Sequence, residues 1–214
     1  MSSFEVRQCT NPVCRLRLPV DMEIHSGKYC PKCGDPLEGV EVLHNQQVAK
    51  YEQASDRREL VAVLDNIRSA HNVGSIFRTA DGAGVKHLYL CGITPTPAEN
   101  QTLGKTSLGS ENFIPWSSHL NAVDLAKQLI SNGYSLLALE QKKNAVSIFQ
   151  FKIEDEMGMG RSPLALILGN ERAGVDPELM DLGEAVLTLP MAGQKASLNV
   201  AVAFGVAAYW LMNT

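Results

Sequence analysis

Apolar and polar positions fall into two regimes along the chain. From residue 60 onward, short unbroken apolar runs recur: LVAVLD (60–65), HLYLCG (87–92), SLLALE (135–140), LALILG (164–169) and AVLTLP (185–190). Each has strand length and lacks apolar–polar alternation, as expected of strands covered on both faces. Helical patterns lie between them, near Val73–Gly82, Asn121–Asn132, Pro177–Asp181 and Ala196–Met212. Strands interleaved with helices predict an α/β domain built on a parallel sheet. The last predicted helix is apolar all round, with Val200, Ala201, Ala203, Phe204, Gly205, Ala207, Ala208 and Trp210. A helix without a polar stripe is buried on more than one side, and a second copy of the chain is the simplest cover. A homodimer is therefore expected. Before residue 60 this rhythm is absent. The reading is a small module over 1–40, a polar linker over 41–59 with some helix from Asn45, and the α/β domain over 60–214.

The first module is marked by its cysteines. Of five in the chain, Cys9 and Cys14 form one close pair, and Cys30-Pro-Lys-Cys33-Gly34 supplies another after a fifteen-residue insert. Two such pairs suit tetrahedral thiolate ligation of Zn2+ in a zinc ribbon. Two disulfides are the competing arrangement, disfavoured in a chain expected to be cytoplasmic, where thiols stay reduced. No basic start leads into an apolar run, so no signal peptide is expected. The most apolar stretch, Val200 to Leu211, is too short to cross a membrane. His25 is read as a solvent-facing hairpin residue and Cys91 as core. Net charge is −4, which does not favour a generic polyanion binder. Residues 1–34, however, hold Arg7, Arg15, Arg17, Lys28 and Lys32 against Glu5, Asp21 and Glu23, a local balance compatible with a nucleic-acid partner.

Familiar cofactor signatures are missing. Gly82-Ala-Gly84 fails the dinucleotide fingerprint in spacing and ends a helix instead of opening one. There is no GxxxxGK[ST] and no Gly-x-Ser-x-Gly. A metal-dependent hydrolase fails as well, because the four cysteines close their own site. Three polar islands remain, each at a strand end, where α/β sheets bind ligands. They are Asp65–Val85, Leu166–Leu179 and Leu189–Leu211. In the first, Asn72 is placed to cap a helix carrying Arg78 on its polar side. In the second, Gly169 and Gly174 bracket Asn170-Glu171-Arg172 and let the backbone approach a ligand. In the third, Gln194, Lys195, Ser197 and Asn199 gather at a strand-to-helix turn, with Ser197 a natural N-cap.

The three islands, in order, resemble the motifs of SpoU/TrmH-like RNA 2′-O-ribose methyltransferases of the SPOUT class. The residues that carry the likeness are Asn72-Val-Gly74-Ser-Ile-Phe-Arg78-Thr-Ala80, Leu168-Gly169-Asn170-Glu171-x-x-Gly174-Val, and Leu189-Pro190-Met191-x-Gly193-x-x-x-Ser197-Leu198-Asn199-Val200. A stretch from Lys105 to Trp116 is similar to a further loop of that family. The resemblance covers roughly residues 60–214 and leaves out the cysteine module. It implies a trefoil-knotted homodimer that binds S-adenosylmethionine and methylates a ribose 2′-hydroxyl of tRNA or rRNA. By the same resemblance, Leu139, Glu140, Leu168, Gly169, Leu189, Met191, Gly193, Ser197 and Leu198 line the donor site, with Gly193 letting its loop fold over the donor. Arg78, Asn72, Glu171, Ser197 and Asn199 would form the catalytic set. Arg78 is implied to work near the other subunit's donor. A guanidinium with no lone pair to accept a proton is better suited to clamping phosphate and stabilising charge than to acting as a base. Lys195 would meet RNA phosphate or simply face solvent. A catalytically silent RNA-binding protein of the same fold is the alternative.

Overall fold

A computed structural model of the chain describes residues 4–43, 58–153 and 162–213. The chain separates into two compact units, residues 1–53 and 54–214.

The first unit is a three-stranded antiparallel sheet in the order β2-β1-β3, with β1 Phe4–Cys9, β2 Arg17–Asp21 and β3 Leu37–Leu43. Its buried centre is small, made of Cys9, Cys30 and Leu37 with Leu16 and Leu18 packed beside them. Asn11 joins the two cysteine turns. Its Oδ1 accepts from the Val13 and Cys14 N–H groups, and its Nδ2 donates to Asp35 Oδ2 at 2.6 Å. Strand β3 carries the sheet to Leu43, beyond the boundary expected at residue 40. The helix expected from Asn45 lies outside the described residues.

The second unit is a seven-stranded sheet in the order β6-β5-β4-β9-β7-β10-β8, and every pairing is parallel. Its strands are β4 Leu60–Asp65, β5 His87–Cys91, β6 Trp116–His119, β7 Ser135–Leu139, β8 Val146–Ser147, β9 Leu164–Leu168 and β10 Ala185–Thr188. Strands β4 and β9 are buried at every position, which explains their unbroken apolar runs. One face packs Leu60, Ala62, Leu64 and Leu166 against α1 Ala70–Ala83 and α5 Val200–Leu211. The other packs Val61, Val63, Ala165 and Ile167 against α3 Ala122–Ser131 and α4 Pro177–Leu182. A single turn, α2 Gly104–Ser107, sits against α1 between β5 and β6.

The five predicted strands and four predicted helices all form. Strands β6 and β8 were not expected: WSSH carries no apolar run, and β8 has two residues. Helix α1 ends where Gly84 adopts φ +80°, so the Gly82-Ala-Gly84 triplet is a helix stop. Among the described residues no helix is long and apolar enough to cross a membrane.

Candidate functional site

The site forms where β9, β7 and β10 end together and their loops turn outward. Strand β9 lies between β4 and β7, so the loop after Leu168 reaches both halves of the sheet. That loop doubles back immediately. The Gly174 N–H donates to the Asn170 carbonyl at 2.9 Å, and Gly174 takes φ +79°. A methyl group on Gly169 would overlap the Gly174 backbone, so the close crossing requires glycine there. Asn170 holds the turn from inside. Its Oδ1 accepts from the Arg172 and Ala173 N–H groups, and its Nδ2 donates to the Asn66 carbonyl at 2.7 Å.

Glu171 is thereby delivered to the N-terminus of α1. Its carboxylate accepts from the Arg68 N–H at 2.9 Å, the Ser69 N–H at 3.1 Å and Asn72 Nδ2 at 2.9 Å. An anion at a helix start satisfies free N–H groups and meets the positive end of the helix dipole. Burial pushes the Glu171 pKa up. Hydrogen bonds from the Arg68 N–H, its own N–H, Asn72 and the Ser69 N–H outweigh that and hold it below the ordinary glutamate value. Asn72 then passes the contact on, because its Oδ1 accepts from Asn199 Nδ2 at 3.0 Å. Asn199 is itself the N-cap of α5, accepting from the Ala201 and Val202 N–H groups. Glu171, Asn72 and Asn199, widely separated in sequence, form one hydrogen-bonded chain across the mouths of three loops.

Beside that chain lies an open cavity of about 360 Å³. Leu139, Glu140, Leu168, Gly169, Leu189, Ser197 and Leu198 line it together with Glu171 and Asn199. Glu140 braces its floor, since Oε2 accepts from the Val175 N–H at 2.8 Å. Gln141, which no sequence motif marked, also lines the cavity. Its Nε2 donates to the Leu189 carbonyl at 2.7 Å, and its Oε1 accepts from Thr188 Oγ1 at 2.6 Å. This amide ties the exit of β7 to the exit of β10 and fixes where the final loop begins.

Several expected details differ. Ser69 caps α1 in place of Asn72, accepting from the Asn72 N–H at 3.3 Å. That leaves the Asn72 side chain available to bridge Glu171 and Asn199. Helix α5 starts at Val200, not at Ala196, so Asn199 takes the capping role expected of Ser197. Met191 and Gly193 do not line the cavity. Gly193 does not adopt a left-handed φ and has open space where a Cβ would stand, so no local packing requires glycine. Arg78 is exposed on α1 and does not line this cavity. Glu171 serves the α1 N-terminus, and no hydrogen bond or ion pair joins it to Arg78 among the described residues.

In the first unit the four cysteine sulfurs lie within 4.8 Å of one another. Cys9 and Cys33 Sγ are 3.4 Å apart, and Cys14 and Cys30 Sγ 3.8 Å, so neither pair is a disulfide. Four thiolates around zinc at about 2.3 Å stand about 3.8 Å from one another, and the cluster matches that spacing. Burial raises the Cys30 thiol, but the N–H groups of Cys33 and Lys32 bring it down to about 7.

Known proteins share this architecture. The tRNA (guanosine(18)-2'-O)-methyltransferase of Aquifex aeolicus is 29% identical over 154 residues, covering 72% of this chain and 68% of the relative. Its Escherichia coli K12 counterpart is 26% identical over 151 residues, covering 71% and 62%. This chain thus spans about two thirds of the length of these relatives. Among solved structures, an AdoMet-bound rRNA methyltransferase from Sinorhizobium meliloti superposes with a TM-score of 0.64 at 29% identity, over 73% of this chain and 56% of that one. The α/β fold is therefore of the expected SPOUT type. Residues 59–209, the stretch that folds into the sheet and brings the three loops together, match the SpoU rRNA Methylase family, and the chain belongs to it.

Proposed function

We propose that this protein transfers a methyl group from S-adenosylmethionine to a ribose 2′-hydroxyl of tRNA or rRNA. The supporting observation is the Glu171–Asn72–Asn199 chain, which joins the three motif loops along one side of the cavity. The cavity suits such a donor. Leu139, Leu168, Leu189 and Leu198 offer apolar walls for an adenine, and loop backbone supplies the hydrogen-bonding groups. When bound, the donor supplies an electrophilic methyl on a sulfonium.

The protein's own residues do the rest. Ser197 and Asn199 orient the donor loop, and Glu171 with Asn72 fixes the start of α1, the helix that carries Arg78. Arg78 clamps an RNA phosphate and stabilises the negative charge that grows on the hydroxyl oxygen. Its position outside the cavity of its own protomer accords with action at a partner's site in a homodimer. Val202, Val206 and Tyr209 recur at helical spacing on α5 and are exposed, which supplies an apolar surface for that partner. The four cysteines hold a structural zinc ion, with no open position for catalysis. Reduced thiols accord with work in the cytoplasm.

The test is incubation with bulk RNA and isotopically labelled S-adenosylmethionine, followed by digestion to nucleosides. Label in 2′-O-methylnucleosides is expected. Label in base-methylated nucleosides, or RNA binding with no transfer, would refute the proposal; the second result would indicate the silent RNA binder.

A further inference from the structure

The ribbon unit is not basic overall, yet its charges are arranged unevenly. Several acids are committed internally. Glu5 pairs with Arg7 at 2.8 Å, Asp35 accepts from Asn11, and Asp21 Oδ1 accepts from the Glu23 N–H to close a turn. By contrast Arg15, Lys28 and Lys32 are exposed, and none makes an ion pair among the described residues. Glu38 and Glu41 lie on β3, whose first residue, Leu37, donates to the Lys28 carbonyl, and neither makes an ion pair among the described residues.

Between the two lysines stands Tyr29, 69% exposed. Its backbone is held on every side. It bridges Pro36, the Lys28 carbonyl accepts from the Leu37 N–H at 2.9 Å, and the Cys30 N–H donates to the Asp35 carbonyl at 2.8 Å. Just before it, Arg7 Nη1 donates to the Gly27 carbonyl at 2.9 Å, and Gly27 takes φ +59°. Just after it, Cys30 is buried in the cysteine cluster. A backbone fixed in this way need not be ordered again when a ligand binds, and the exposure leaves the ring free for that ligand.

We infer that the turn from Gly27 to Cys33 is a contact for single-stranded RNA, with Tyr29 stacking on one base and Lys28 and Lys32 meeting the adjacent phosphates. Stacking on aromatic rings with cations tracking the backbone is how unpaired nucleotides are held, while duplex RNA keeps its base faces covered. A protein partner is the competing occupant. Two exposed lysines that flank one exposed ring in sequence, on a backbone held by hydrogen bonds, favour a polyanion with exposed π-faces. The inference rests on the reading of the second unit as an RNA methyltransferase, and it assigns part of the substrate grip to the ribbon.

The experiment is fluorescence anisotropy of the zinc-loaded full chain with a labelled single-stranded RNA ten-mer and with a duplex of equal length. Zinc content and Tm of every variant are compared with wild type. Tyr29→Ala is expected to weaken single-strand binding roughly 5- to 50-fold, and Tyr29→Phe to stay within about twofold, since the ring is kept. Lys28→Gln with Lys32→Gln should lower the salt slope by about 1.4, roughly 0.7 for each phosphate no longer neutralised. The inference is overturned if Tyr29→Ala binds single strands like wild type, if Tyr29→Phe is as weak as Tyr29→Ala, or if duplex binding falls by the same factor. Wild-type RNA affinity in Tyr29→Ala alongside loss of a co-purifying protein would also overturn it and give the surface to a protein. Donor binding and methyl transfer are measured on the same samples. Tyr29-dependent RNA binding without methyl transfer would defeat the enzymatic reading and leave this one standing.

Discussion

Asn72 holds one hydrogen bond in each direction, donating to Glu171 at 2.9 Å and accepting from Asn199 at 3.0 Å. Asn72→Asp keeps the shape but removes the donor and sets a second carboxylate against Glu171. Its kcat/KM for methyl transfer should fall at least roughly tenfold, and further than that of Asn72→Ala, because like charges at this distance repel while a methyl leaves a gap water can fill. Steady-state kinetics on both variants decide it, and an Asn72→Asp enzyme better than Asn72→Ala would contradict the bridging role. Glu171 carries a pH signature. Its folded pKa is depressed, so its contribution is fully present above the ordinary glutamate value of about 4.3 and is lost as pH falls through the lower folded pKa. The Tm gap between wild type and Glu171→Gln should therefore be constant from pH 8 to pH 6 and close at more acid pH. Because the group is exposed, the gap corresponds to no more than about 1 kcal/mol. A gap that widened on acidification would contradict the assignment.

The elements differ in how far the sequence disclosed them. Continuous apolar runs marked β4, β5, β7, β9 and β10 because the sheet is covered on both faces, and the same logic could not see β6, an edge strand of sequence WSSH. Capping was legible in type but not in place. Ser69, Asn72, Ser197 and Asn199 are all competent caps, and tertiary contacts decide which two serve. Gln141 was silent, since a polar residue after a strand is ordinary and its partners at 188 and 189 come from another element. Glycines separate the same way. Gly169→Ala should destabilise the protein by roughly 1–3 kcal/mol because a methyl there meets the Gly174 backbone, which cannot swing aside. Gly193→Ala should stay within about 0.5 kcal/mol, since nothing lies within 4 Å of the added carbon. Thermal denaturation of the pair checks this, and equal losses would mean the Gly169 crossing is not rigid.

Across the whole molecule, two units with different sources of stability share one chain. The second has an extensive apolar core, whereas the first buries Cys9, Cys30 and Leu37 and little else, so the proposed zinc ion would supply much of its folding energy. A strong chelator should unfold the ribbon and leave the sheet domain's melting transition in place. Calorimetry with zinc analysis reads both, and an unchanged ribbon after metal loss would contradict the zinc reading. No apolar pattern can reveal a knot, since that depends on the path of the chain and not on which positions are buried. What the sequence did disclose was the three-loop site, through the order and spacing of its motifs. The convergence of those loops on one donor pocket is tested most directly by a crystal structure of the protein with S-adenosylhomocysteine. The ligand is predicted between Leu139, Leu168, Leu189 and Leu198, with the Glu171–Asn72–Asn199 chain intact beside it. A ligand bound elsewhere, with that cavity empty, would contradict the account.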